Sequence, residues 1–294
     1  MDGTGFPALV FVHGWSCDRR YWDTQARYFA PQYQVVTLDL AGHGASGRDR
    51  TQWTVPAFGH DVVAVVEQLG VEQVVLIGHS MGGSVIVEAT RRLPTAVIGV
   101  VGVDTWQNVE HILTPEQVAE LVATFRANFV EAMRTFVRAR FLPTSDPTVV
   151  EHVIAGMSAA PPQIAISAYA ELQGNRRNLQ AGLQEVTAPK ITINASDRGT
   201  NKEVAQRHGI EVLWMSGVGH FGMMEDPQTF NSLLNEAVQK LSMRERSSRN
   251  SPRRAIHFAA KSFRQRWSFI DWSSVMYIVN TGVGDLVLLR CSVP

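Results

Sequence analysis

The stretch Gly78-His79-Ser80-Met81-Gly82 decides the fold. It sits between an apolar run, Val74-Val75-Leu76-Ile77, and a helical-looking stretch from Gly83 to Arg92. The pattern is G-x-S-x-G in a strand–turn–helix setting, which is the setting that gives it meaning. A sharp turn there lifts a serine hydroxyl clear of a sheet. Glycines let the turn close without side-chain clashes. The following helix points its amides and positive dipole end at the serine. Ser80 therefore reads as a nucleophile.

Working outward, short β-branched runs alternate with helical patterns, which predicts parallel βαβ units. Strands are expected at Ala8–His13, Gln34–Leu38, Gln73–Ile77, Val97–Val103, Lys190–Ile193 and Glu211–Met215. Helices are expected at Tyr21–Phe29, Pro56–Leu69 and from Asp226-Pro227 to about Leu241. Near-continuous apolar strands fit a sheet covered on both faces. From Gln107 to Val186 the alternation stops and only helices are predicted, at Pro115–Arg140, Pro147–Met157, Gln163–Leu172 and Leu179–Val186. An inserted segment of that kind reads as a cap or lid over a site. The organisation expected is a core of 1–106 and 187–242, a cap of 107–186, and a basic C-terminal extension of 243–294.

The net charge of zero hides an asymmetry: residues 243–294 carry +6 and residues 1–242 carry −6. The tail, with Ser-Ser-Arg-Asn-Ser-Pro-Arg-Arg and scattered aromatics, lacks clean periodicity. It reads as a disordered or non-native extension, with a basic interaction arm as the other reading. No further sheet strand is expected there. Cys17 and Cys291 are too few and too far apart for a disulfide framework, and no metal-type Cys/His cluster occurs. With no signal-peptide pattern and no clean membrane span, a cytoplasmic protein with neither nucleic-acid nor membrane partner is expected.

A serine nucleophile needs a base, and the base an orienting acid. His220, in Gly217-Val218-Gly219-His220-Phe221 just past a strand, is the expected base; His13, His79 and His43 read as loop architecture. Two aspartates can supply the acid. Both lie between serine and histidine in the chain, the order expected for this type of elbow; Asp197 follows the strand Lys190–Ile193 and is preferred, because that strand is the more common source of the acid. Asp104, at the end of Val97–Val103, is the alternative. The amides of Met81 and Trp15 are expected to hold the oxyanion. Cys17 reads as a small buried thiol.

Together Phe11-Val12-His13-Gly14-Trp15, Asp39-Leu40-Ala41-Gly42-His43-Gly44-Ala45-Ser46, Gly78-His79-Ser80-Met81-Gly82-Gly83, Asn194–Asp197 and Gly219-His220-Phe221 resemble the α/β-hydrolase fold superfamily with a helical cap. The resemblance spans residues 6–242. It implies an α/β fold with a doubly wound, mostly parallel, eight-stranded sheet. The first two strands of such a sheet, an antiparallel pair, have no counterpart at the N-terminus. Ser80, rather than aspartate, sets aside dehalogenase and epoxide-hydrolase chemistry. A serine hydrolase of small carboxylic esters is expected, needing no cofactor or metal. C–C bond hydrolysis and cofactor-free haloperoxidase-like chemistry are the alternatives, and a non-catalytic ligand-binding protein is the alternative of another class. Trp15, Trp106, Phe125, Phe129, Met133 and Met157 are candidate pocket residues, although the helical spacing of Phe125, Phe129 and Met133 reads more as core packing than as substrate contact. Nothing strongly basic is expected at the mouth, so a highly anionic substrate is not suggested.

Overall fold

The computed structural model describes residues 5–249, 276–280 and 286–290, the last two segments and residues 248–249 by backbone alone. Six parallel strands form the centre: β1 (Ala8–Val12), β2 (Val35–Leu38), β3 (Val74–His79), β4 (Val97–Val103), β5 (Lys190–Ala195) and β6 (Ile210–Met215). Every residue of β1 to β4 is buried, which is why these segments read as unbroken apolar runs rather than alternating ones. Flanking the sheet are α1 (Asp23–Phe29), α2 (Val55–Gln68), α3 (Met81–Arg92), α9 (Lys202–Arg207), the short α10 (Gly222–Glu225) and α11 (Pro227–Arg249). The order β6-β5-β4-β3-β1-β2 sends the chain one way from β1 to β2 and the other way to β3. Such a switch point opens a crevice at the carboxyl ends of the strands. The loops after β1 and β3, carrying Trp15 and Ser80, flank that crevice.

Two further strands correct the sequence reading. Beyond β2 lie β7 (Met276–Asn280) and β8 (Leu286–Arg290). β7 runs antiparallel to β2, pairing Asn280 with Thr37 and Val279 with Leu38, and β8 runs antiparallel to β7. The sheet thus has eight strands, with its antiparallel pair drawn from the C-terminal end of the chain. The charge of residues 243–294 masked a hairpin signal: two apolar runs, Met-Tyr-Ile-Val-Asn and Leu-Val-Leu-Leu-Arg, flank the turn-rich Thr281-Gly-Val-Gly-Asp285. Pairing there satisfies backbone groups that a bare β2 edge would leave open. Residues 243–249 continue α11 past its expected end near Leu241; the rest of the expected extension, including Cys291, lies outside the described residues.

Between β4 and β5 run five helices: α4 (Pro115–Ala127), α5 (Phe129–Arg138), α6 (Pro147–Ser158), α7 (Pro162–Gly174) and α8 (Arg176–Glu185). One long helix was expected over 115–140. Asn128 splits it, leaving the helical region at φ −154° and capping α5 by accepting from the Glu131 N–H. The helices are tied to the loop after β1, where the Trp15 indole donates to the Ala165 carbonyl at 2.7 Å. Its ring packs edge-on against Phe125 and Phe136.

The turn after β3 has no room for side chains. A Cβ on Gly82 would lie 2.5 Å from the Val12 carbonyl oxygen and 2.8 Å from that of His13. Backbone cannot move aside as a flexible side chain can. Gly82→Ala is therefore expected to destabilise the protein by on the order of 3 kcal/mol, measured by urea unfolding. A change within about 0.5 kcal/mol would contradict this packing.

Candidate active site

Four non-glycine residues among those described adopt positive φ: Ser16 (55°), Ser80 (52°), Asp104 (42°) and Trp106 (59°). All lie on loops at the carboxyl ends of β1, β3 and β4. Strain of this kind persists only where the surroundings enforce it. At Ser80 the enforcement is visible. Its N–H donates to the Val103 carbonyl at 3.0 Å, and its own carbonyl accepts from the Thr105 hydroxyl at 3.0 Å. The end of β4 thereby locks the serine beside Asp104.

Ser80, Asp104, His220, Gly14, Trp15 and Met81 line one cavity of about 490 Å³. That is the size range of small-molecule sites. His220 is fixed on three sides. Its Nδ1 is hydrogen-bonded to Asp104 Oδ2, its backbone N–H donates to the Arg140 carbonyl at 2.7 Å, and its carbonyl accepts from His79 Nε2 at 3.0 Å. With Nδ1 engaged, Nε2 is the nitrogen left for chemistry. Asp104 is saturated: besides His220, Oδ2 accepts from Arg198 Nε at 2.6 Å and Oδ1 from the Ala195 N–H at 3.1 Å.

This pairing favours the alternative acid, Asp104, over the preferred Asp197. Asp197 lies exposed on the turn after β5, while Asp104 is buried against His220. The physical reason is local. The chain turns through positive φ at Asp104 and aims its carboxylate across the end of β5, and Arg198, the neighbour of Asp197, reaches back to clamp it. Burial alone would raise the Asp104 carboxyl pKa; the hydrogen bond and charge of His220, then Arg198 and the Ala195 N–H, outweigh it and hold the group below the ordinary carboxylate value. Burial lowers the His220 pKa below 6.5. Asp104 opposes this without cancelling it, and the charges of Arg198 and Arg140 add to the lowering. The imidazole is thus held neutral at neutral pH, the state a proton acceptor needs.

The loop of Gly14 passes close to the serine: a Cβ there would sit 2.8 Å from His79 Nδ1 and 3.4 Å from Ser80 Cβ. Trp15 follows directly. Met81 opens α3, where the first amides have no acceptor within the helix. Trp15 and Met81 both line the cavity that holds Ser80.

The other inner histidines are structural. His13 Nδ1 donates to the Gly14 carbonyl and its Nε2 accepts from the Leu40 N–H at 3.0 Å, while His43 Nδ1 donates to the Ala41 carbonyl at 3.1 Å. Burial, with the nearby His13, pushes the His43 pKa down to about 3, and burial also lowers those of His13 and His79. The linkage sign follows. The unfolded chain protonates His43 near pH 6.5 and the folded one only near pH 3, so stability falls as pH drops through that window. His43 alone is expected to remove on the order of 3 kcal/mol by pH 4.5. Urea midpoints at pH 7 and 4.5, for wild type and His43→Gln, check this: the variant loses less on acidification, and equal losses would contradict it.

Of the candidate pocket residues, Trp15, Trp106 and Met157 line the cavity. Phe125, Phe129 and Met133 are buried in the packing behind it. The expectation about charge is overturned, because Arg140, Arg176 and Arg198 all line this cavity. Cys17 also lines it; burial, then the charge of Asp18, raises its thiol pKa, so it stays protonated. Among the described residues, no group of three or more His, Cys, Asp or Glu is placed to hold a metal ion, and no helix is long and apolar enough to cross a membrane.

Comparison with known proteins fits this geometry. The model of the alpha/beta hydrolase family matches residues 9–233. The chain is 27% identical to 3-oxoadipate enol-lactonase 2 of Acinetobacter baylyi, over 80% of this chain and 89% of that one. It is 37% identical to the bifunctional esterase/perhydrolase DCH of Acinetobacter calcoaceticus over a shorter stretch, 30% of this chain and 32% of the relative. The chain spans little more than a third of the length of some other curated relatives, 39% and 34%. Among solved structures, a malate-bound thermophilic esterase from Thermogutta terrifontis matches with a TM-score of 0.71 at 21% identity, covering 82% of this chain and 92% of that one, a likeness of fold.

Proposed function

From the premise that the chain belongs to the alpha/beta hydrolase family, we propose that this enzyme cleaves a small carboxylic ester through a serine-bound acyl intermediate. The observation that carries the reading is the contact between His220 Nδ1 and buried Asp104 in the cavity that holds strained Ser80.

Ser80 Oγ attacks the ester carbonyl while His220 Nε2 takes its proton. Asp104 holds the imidazole in the tautomer that leaves Nε2 free and stabilises the imidazolium that forms. The Met81 and Trp15 amides face the oxyanion as charge grows on it. Collapse breaks the ester C–O bond, and the imidazolium returns its proton to the departing alcohol. Water, deprotonated by His220, then releases the acid and restores Ser80. Helices α4–α8 act as the lid over this chemistry.

The name of the Acinetobacter baylyi relative extends the reading to lactones, which are cyclic esters open to the same steps. The alternatives of C–C bond hydrolysis and haloperoxidase-like chemistry would use the same residues. A non-catalytic binding protein would have no use for the strain at Ser80 and Asp104. Turnover of p-nitrophenyl esters of increasing acyl length tests the reading. Saturable hydrolysis of short chains is expected; no turnover by folded protein would remove the ester reading.

Arg198 sets the pH range. Its charge beside Asp104 disfavours the imidazolium. Arg198→Met is expected to raise the His220 pKa and move the acidic limb of kcat/KM to higher pH by roughly one unit. An unmoved or more acidic limb would contradict this role.

A further inference from the structure

The charges around the cavity do not balance. Its acidic side chain is Asp104, which is already matched by Arg198 and His220. Arg140 and Arg176 remain. Both are half-buried in the cap, Arg140 just past the end of α5 and Arg176 at the start of α8. Among the described residues neither has a carboxylate within ion-pair distance.

Their existing partners are neutral. Arg140 Nη1 donates to the Phe136 carbonyl at 2.7 Å, and its guanidinium lies over the Phe136 ring. Arg176 donates from Nη2 to Gln173 Oε1 at 3.0 Å and from Nη1 to the His111 carbonyl at 3.2 Å. Burial lowers both pKa values, that of Arg140 to about 10, so both stay charged at neutral pH. A partly desolvated guanidinium without a counter-ion is costly to maintain. Guanidinium is also the side chain best matched to a carboxylate, through two parallel hydrogen bonds.

We propose that Arg140 and Arg176 form an anion subsite in the cap, and that the substrate is an ester or lactone bearing a carboxylate on the part remote from the scissile bond. The substrate class rests on the ester reading above; the anion subsite does not. The acyl carbonyl reaches Ser80 while the carboxylate seats between the two cap arginines. Anion binding would also draw α5 and α8 together over the cavity, since each contributes one arginine. The neutral cap partners then serve as placeholders that hold the guanidinium groups ready.

Two measurements test this separately. The first compares mono-p-nitrophenyl glutarate with p-nitrophenyl valerate, which differ chiefly in the terminal carboxylate. Wild type is expected to favour the glutarate ester by tenfold or more in kcat/KM. Arg140→Gln and Arg176→Gln should each reduce that ratio at least fivefold, mostly through KM, and Arg176→Lys should recover part of it. Two arginines on different helices guard against one variant failing for reasons of folding. The second measures binding of monomethyl glutarate and methyl valerate to Ser80→Ala by calorimetry. Monomethyl glutarate is expected to bind tenfold or more tightly, and its advantage should shrink as salt is raised. Equal binding of the two ligands, or a wild-type preference for the valerate ester that the arginine variants leave unchanged, overturns the subsite. Selective glutarate binding without hydrolysis of either ester keeps the subsite and removes the ester reading.

Discussion

Ser80→Ala is expected to lower kcat/KM for p-nitrophenyl esters by roughly 10⁴-fold or more, with the fold intact. The size follows from the role. Without Oγ no acyl-enzyme forms, and what remains is water attacking a carbonyl held by two amides. The fold should survive because Ser80 is fixed through its backbone, by Val103 and Thr105, and its side chain makes no capping bond to α3. Steady-state kinetics and an unfolding curve on the same preparation check both halves. A folded variant within tenfold of wild type, about 1.4 kcal/mol of barrier, would place the nucleophile elsewhere.

Asp104→Asn is expected to cost roughly 10³- to 10⁴-fold in kcat, and Asp197→Asn almost nothing. An amide at position 104 keeps the shape but offers His220 a donor as readily as an acceptor. The imidazole can then hold its proton on the wrong nitrogen, and the imidazolium loses its counter-charge. Arg198 would lose its ionic partner in the same change, adding to the effect. Asp197 sits exposed on its turn, and its substitution disturbs none of the contacts of His220. Measuring kcat for the two variants side by side decides the acid. Loss confined to Asp197→Asn would reverse the assignment.

These two aspartates mark where the sequence stops being legible. The serine turn could be read because its signal is local: an apolar strand, a glycine-flanked serine and a helix occur within nineteen residues, 74–92. His220 was readable for the same reason, in a glycine-containing loop after a strand. The carboxylate that meets His220 was not, because both aspartates follow neighbouring strands. Only the path of the backbone at Asp104 and the reach of Arg198 separate them, and both are tertiary facts.

The arginines escaped for another reason. Arg140 and Arg176 lie at helix ends in the cap, where basic residues ordinarily face water. Nothing in the periodicity marks them as facing inward. Phe125, Phe129 and Met133 were legible as core packing from their helical spacing, and they are buried behind the cavity. The hairpin of β7 and β8 was hidden by weighing the charge of the whole tail over two short apolar runs within it.

The central claim is that Ser80 carries the acyl group under the control of His220 and Asp104. Intact-protein mass spectrometry after brief mixing with p-nitrophenyl butyrate at low pH, followed by peptide mapping, tests it most directly. One butyryl group is expected on the peptide containing Ser80, absent from Ser80→Ala and slow to appear in His220→Asn. Hydrolysis without any adduct on Ser80, or an adduct on Cys17 instead, would contradict it.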